Sequence, residues 1–174
     1  MQKTLKTTLL TLFALPLLAT SLYAQESSTY AQESSTGVQG VWQTEKKEDE
    51  NRTAHVQISN CEDNPQQLCG KIIALEEPID PNTGKPKLDK KNPDETLRAR
   101  PIMGVLMLKG FNKEDENTYT GGTIYSPRTG KTYDSKLELV NGDTLEVTGY
   151  ILFFWKTQTW TRVKASDSKT KNYS

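Results

Sequence analysis

The chain has 174 residues, with 22 basic against 22 acidic side chains and a single histidine. A balance near zero excludes the clustered lysine and arginine surface from which nucleic-acid binding draws its affinity, and one histidine excludes histidine-based zinc sites. The length allows one domain of ordinary size with its own core.

Residues 1–6 carry Lys3 and Lys6 and no acid, and residues 9–18 form an apolar run broken only by Thr11 and Pro16. With the small residues that follow, this predicts a secretory signal peptide over 1–24, cleaved after Ala24. The apolar run is shorter than the roughly 20 residues a membrane span needs, so no integral membrane anchor is expected. Removing 1–24 leaves 20 basic against 22 acidic side chains. Residues 23–29 read YAQESST and residues 30–36 repeat it. So polar a segment cannot offset its ordering entropy by burial, and 25–37 is read as a flexible leader.

From Val38 onward, short runs of β-branched and aromatic residues alternate with Gly, Pro, Asn and Asp clusters, which predicts an all-β domain over 38–164. Eight strands are expected, at 39–44, 53–59, 68–75, 102–111, 118–125, 132–140, 144–152 and 157–164. Ala54, Val56 and Ile58 alternate with polar neighbours, as do Leu137, Leu139, Leu145 and Val147; each strand then has one wet and one dry face. Asn141, Gly142 and Asp143 between two of these runs suit a tight antiparallel hairpin. Closing eight meandering strands removes exposed edges, so an eight-stranded antiparallel up-and-down β-barrel is favoured over a sandwich. Residues 165–174 are read as a disordered tail.

Between these runs lie the candidates for special chemistry. Asn51 begins an Asn-x-Thr acceptor for glycosylation, with an unmodified hairpin as the alternative. Cys61 and Cys69 are the only cysteines, follow an export signal and flank a turn-forming segment, which predicts a disulfide. Residues 76–100, rich in Pro, Lys, Asp and Asn, make a long loop expected to cover one barrel end, with a short helical turn at 97–100 capped by Asp94. Asp80, Asn82, Asp89, Asn92 and Asp94 offer oxygens but miss the calcium-loop pattern, so no metal is assigned. His55 falls on the solvent-facing phase of its strand with no nucleophile beside it, so no catalytic residue is assigned and no cofactor is expected.

Trp42 lies on the first strand, Trp160 and Arg162 on the last. In a closed barrel these strands are neighbours, and the Arg162 guanidinium can stack on the Trp42 indole. Such a plug is structural. The inner wall is expected from Met103, Val105, Met107, Tyr119, Tyr133, Leu137, Leu139, Leu145 and Val147, which suits a small apolar or amphiphilic ligand; a self-filled core is the alternative. Arg98 and Arg100 at the rim can hold a carboxylate or phosphate head group, or else pair with Asp89, Asp94 or Glu95 to pin the loop.

Leu68-Cys69-Gly70-Lys71-Ile72, Asn92-Pro93-Asp94, the run from Leu97 through Arg98, Ala99, Arg100 and Pro101 to Gly104, Gly121-Gly122-Thr123-Ile124-Tyr125-Ser126-Pro127, Gly130-Lys131-Thr132-Tyr133 and Thr159-Trp160-Thr161-Arg162 resemble a widespread bacterial family of exported proteins known as a domain of unknown function. The resemblance spans 40–163 and implies a lipocalin-like or calycin-like barrel, similar to an exported protein of Helicobacter-type bacteria. It implies no reaction, ligand or catalytic residue. Together these readings predict a periplasmic or secreted binding protein for a small hydrophobic or amphiphilic ligand. The alternatives are a protein-binding envelope module of inhibitor or adhesion type acting through 76–100, and an uncharacterised barrel enzyme.

Overall fold

The computed structural model describes residues 37–46 and 52–164. The signal segment, the repeated leader, Asn51 and the 165–174 tail lie outside the described residues. Eight strands follow in order: β1 (Gly40–Gln43), β2 (Ala54–Asn60), β3 (Leu68–Leu75), β4 (Leu106–Lys113), β5 (Thr118–Ser126), β6 (Lys131–Asn141), β7 (Thr144–Ile151) and β8 (Phe154–Arg162). Each pairs antiparallel with the next, and β1 pairs with β8 through Trp42 opposite Arg162 and Gln43 opposite Thr161, closing an eight-stranded barrel. A three-residue 3-10 turn, Glu95–Leu97, is the helical element among the described residues. No helix there is long and apolar enough to cross a membrane.

Two strand boundaries differ from the sequence expectation. β4 begins at Leu106 and not at residue 102, because Pro101 pairs as an isolated bridge with Leu88 and Gly104 adopts φ +89. That left-handed turn breaks the extended path that the apolar composition suggested. β8 begins at Phe154, three residues early, because the β7–β8 connection is a tight turn of Leu152 and Phe153, with Ile151 opposite Phe154. The helical turn starts at Glu95, and Asp94 caps it by accepting from the Thr96 amide at 2.9 Å. Thr96, through its hydroxyl and then its amide, holds the Asp94 carboxyl below its ordinary pKa.

The two barrel ends have different chemistry. At one end, Arg162 stands 4.2 Å over the Trp42 ring, and its guanidinium donates to the carbonyls of Gln39 and Gly37 at 2.9 and 2.6 Å, and to Gly142. The Trp42 indole N–H donates to Val38 at 2.8 Å, so both polar ends of the stack are satisfied. Burial lowers the Arg162 pKa, and Asp143 opposes that shift. Above this plug, Trp42, Leu108, Phe111, Leu137, Leu145, Val147 and Trp160 are fully buried. Phe111 lies so close to Gly122 that a β-carbon there would enter its ring. The packing leaves no room for a larger residue, which is why Gly122 faces this core.

The disulfide predicted from the sequence is present: Cys61 and Cys69 are joined at 2.05 Å, closing the β2–β3 turn. Cys61, Asp63 and Cys69 are the described trio with metal-ligand spacing, but both sulfurs are committed to that bond.

Candidate functional site

The antiparallel register of β6, β7 and β8 defines a ladder of inward positions. Starting at the plugged end, its rungs are Leu139 with Leu145 and Trp160, then Leu137 with Val147 and Gln158, then Ser135 with Gly149 and Lys156. Tyr133, Ile151 and Phe154 follow by the same alternation, since side chains repeat every second residue. Burial falls along this series. The first rung is wholly buried, Gln158 in the second is partly exposed, Lys156 in the third is exposed, and the last has no fully buried member. Among the described residues, β6 to β8 are therefore filled over at the plugged end and uncovered at the other, where the 76–105 segment, the 127–130 turn and the β7–β8 tip emerge, while on the opposite side of that end Ile102 and Val105 of the long segment pack on the core.

Of the expected wall, Val105, Leu137, Leu139, Leu145 and Val147 are buried in the core, and Met107 and Tyr119 pack against it partly buried. Tyr133 is partly buried near the uncovered end. Met103 must be moved: it is 47% exposed in the turn before β4, because the strand starts three residues after it. Ile124, not among the expected wall residues, faces Tyr133 across the β5–β6 register and packs on the core. Its alternation with Tyr125 was the available signal. His55 is partly buried, near Gln43 at 3.4 Å.

Arg98 and Arg100 are engaged within the long loop. Arg98 donates to the Asn92 carbonyl at 2.8 Å and to Glu95 at 2.8 Å. Arg100 donates through Nε and a terminal nitrogen to one Asp89 oxygen at 3.1 and 2.8 Å. The other Asp89 oxygen accepts from the Tyr125 hydroxyl at 2.6 Å, and Asn92 donates to Asp89 at 2.8 Å. Burial, reinforced by the adjacent Asp89 carboxylate, pushes the Tyr125 phenol up to about 12. Asp89 is fully buried, so this cluster is an anchor that ties the loop to β5. Gly130, at φ +71, lets the β5–β6 turn lie directly against the Lys91 carbonyl. Asp80 is held ionised chiefly by the Asn82 amide and then by Lys90, so its oxygens serve loop geometry.

On the outer face a cleft of about 350 Å³ lies between the disulfide and β4, lined by Ser59, Asn60, Lys71 and Leu106. It is outside the barrel, and the Lys71–Glu62 ion pair spans part of it at 3.0 Å.

Tyr150, Ile151, Leu152, Phe153, Phe154 and Trp155 are not among the site residues expected from the sequence. Leu152 and Phe153 are 93% and 90% exposed, and Phe154 and Trp155 76% and 71%. The signal was a six-residue apolar run without alternation, which a strand with one wet face does not have.

A closed, eight-stranded, up-and-down antiparallel barrel with an aromatic-arginine plug at one end defines a lipocalin-like protein. This fold suggests ligand binding in general. By sequence the chain belongs to the family of uncharacterized proteins conserved in bacteria, DUF2147, whose pattern matches residues 40–162. It is similar in structure to protein HP1028 from Helicobacter pylori, described as belonging to the lipocalin family, with a TM-score of 0.64 and 26% identity over 77% of this chain and 88% of that one. No curated protein matches the chain in sequence.

Proposed function

We propose that the protein is an exported, lipocalin-like binding protein for a small apolar or amphiphilic ligand, received at the uncovered end of the barrel. One observation carries the reading: inward positions on β6 to β8 lose burial rung by rung, ending in an apolar wall of half-buried Tyr133 with exposed Ile151 and Phe154. Lys156 stands on the inward phase just below, opposite Gly149. Its stem can lie along the wall while its ammonium meets a carboxylate or phosphate head group. Lys156 is the better candidate for the head-group contact than Arg98 and Arg100, which already serve the loop.

The ligand is held without bond-making chemistry. Asp89, Arg100 and Tyr125, the converging acid, guanidinium and phenol, are satisfied by one another. The signal-like leader supports export, and the Cys61–Cys69 bond suits an oxidising extracytoplasmic compartment.

The test is titration with a fluorescent anionic amphiphile, together with native mass spectrometry of protein purified from its own host. One saturable site is expected, and Tyr133→Asp, which removes apolar wall and repels the anionic probe, should weaken it about tenfold, the effect of losing about 1.4 kcal/mol of contact. Absence of both a bound mass and a saturable probe signal would refute the reading.

A further inference from the structure

The β7–β8 hairpin is costly to the fold. Leu152 sits at φ 53, in the left-handed region that a branched side chain adopts only under strain. Together with Phe153, Phe154 and Trp155 it forms a run of four consecutive, largely exposed apolar side chains, and contiguous exposed apolar surface marks interaction sites.

The arrangement of the patch limits what can cover it. By register Ile151 and Phe154 face inward, and Tyr150 and Trp155 outward, so the hairpin is apolar on both faces and at its tip. A partner protein or a second copy would seat one face and leave the other in water. A nonpolar medium accepts all of them. Polarity also rises in steps along the hairpin: Leu152 and Phe153 at the tip, Ile151 with Phe154, then Tyr150 with Trp155, then Gly149 with Lys156. This is the order of a half-bilayer read outward, with hydrocarbon side chains deepest, Tyr and Trp at the interface and a lysine at head-group level. Three rungs of strand rise about 7–10 Å, which matches the depth at which interfacial segments insert. No acidic residue occurs from Thr148 to Lys164. The acid that register sets beside the hairpin, Asp134, stands opposite Tyr150, below the deepest rungs.

We infer that the β7–β8 hairpin is a membrane-docking element that dips its tip into a lipid surface and rests the uncovered end of the barrel on it. The inference shares Ile151, Phe154 and Lys156 with the proposed ligand wall, but it is carried by the tip residues Leu152 and Phe153, which that wall does not use.

It is tested with the mature chain and two kinds of vesicle, phosphatidylethanolamine mixed with phosphatidylglycerol, and phosphatidylcholine alone. The protein should co-sediment with the mixed vesicles, and its tryptophan emission should shift to the blue. Trp42 and Trp160 are already buried, so the shift reports on Trp155. Leu152→Ser with Phe153→Ser should lower the partition coefficient about tenfold for each apolar side chain withdrawn, with the near-ultraviolet circular dichroism of the barrel unchanged. Trp155→Phe should keep most of the partition and lose the shift. The inference is overturned if the protein co-sediments with neither vesicle, if the double serine variant partitions as well as the parent, or if the tip drives self-association and not vesicle binding. Retained amphiphile binding by the serine variant would separate this result from that of the barrel site.

Discussion

Asp89 is the fully buried charged side chain among the described residues, and its partners explain how a loop of some 30 residues is held still. It sits where Arg100, Asn92 and Tyr125 converge. A buried carboxylate persists only when paired and hydrogen-bonded in this way. Tyr125 gives the cluster a measurable signature. Its phenol titrates near 10 when unfolded and at about 12 when folded, so the folded state keeps a proton that the unfolded chain gives up. The stabilisation is complete below pH about 10 and lost as pH rises toward about 12. Urea unfolding midpoints of the wild type should therefore fall through that window more steeply than those of Tyr125→Phe, and parallel curves would contradict the assignment. In the sequence, Arg98 and Arg100 were readable as a head-group clamp or as loop ties. Arg100 with Asp89 and Arg98 with Glu95 make the loop ties; composition did not show that Tyr125, 36 residues from Asp89, completes the cluster.

At the scale of the element, the β7–β8 hairpin sets stability against exposure. Its paired strands are well formed, yet its two-residue tip carries Leu152 where the backbone requires a positive φ. Glycine adopts that conformation without the steric cost. Leu152→Gly should raise unfolding stability by about 1 kcal/mol, the penalty for a side chain in the left-handed region, measured by thermal or urea unfolding. The same variant should dock less well on vesicles, and a variant that is both less stable and equally adherent would contradict both arguments. The strands themselves were legible wherever they alternate, as at Val56 and Ile58, or at Leu137 and Leu139, because one face meets the core and the other meets water. Alternation fails in 102–105 and in 150–155, and both boundary errors fall there. In the first case Gly104 turns the chain; in the second both strand faces are apolar, so hydropathy alone does not locate the turn.

For the whole molecule, closure is the event on which the inner wall depends. β1 contributes four residues and meets β8 over two pairs, a short seam for joining the two ends of a sheet. The Arg162 guanidinium reinforces it, binding three carbonyls from the N-terminal segment and the β6–β7 turn and stacking on Trp42. Arg162→Ala should cost about 2–3 kcal/mol, the stack plus carbonyls left short of a donor. Hydrogen exchange should quicken selectively in β1 and β8. Arg162→Lys should recover little, because an ammonium lacks the planar fork that reaches several carbonyls while lying on a ring. Uniform exchange across the barrel would show that the seam does not depend on this residue.

Local chemistry determined the strand count, the antiparallel order, the disulfide and the Trp42–Arg162 pairing. Each follows from residue type at short range or from the constraint that a meander must hide its edges. Only the tertiary structure decided which inward positions are filled, where Arg98 and Arg100 direct their charge, and that Leu152 to Trp155 remain uncovered. These outcomes depend on what distant segments bring against a side chain, and neither spacing nor composition records that.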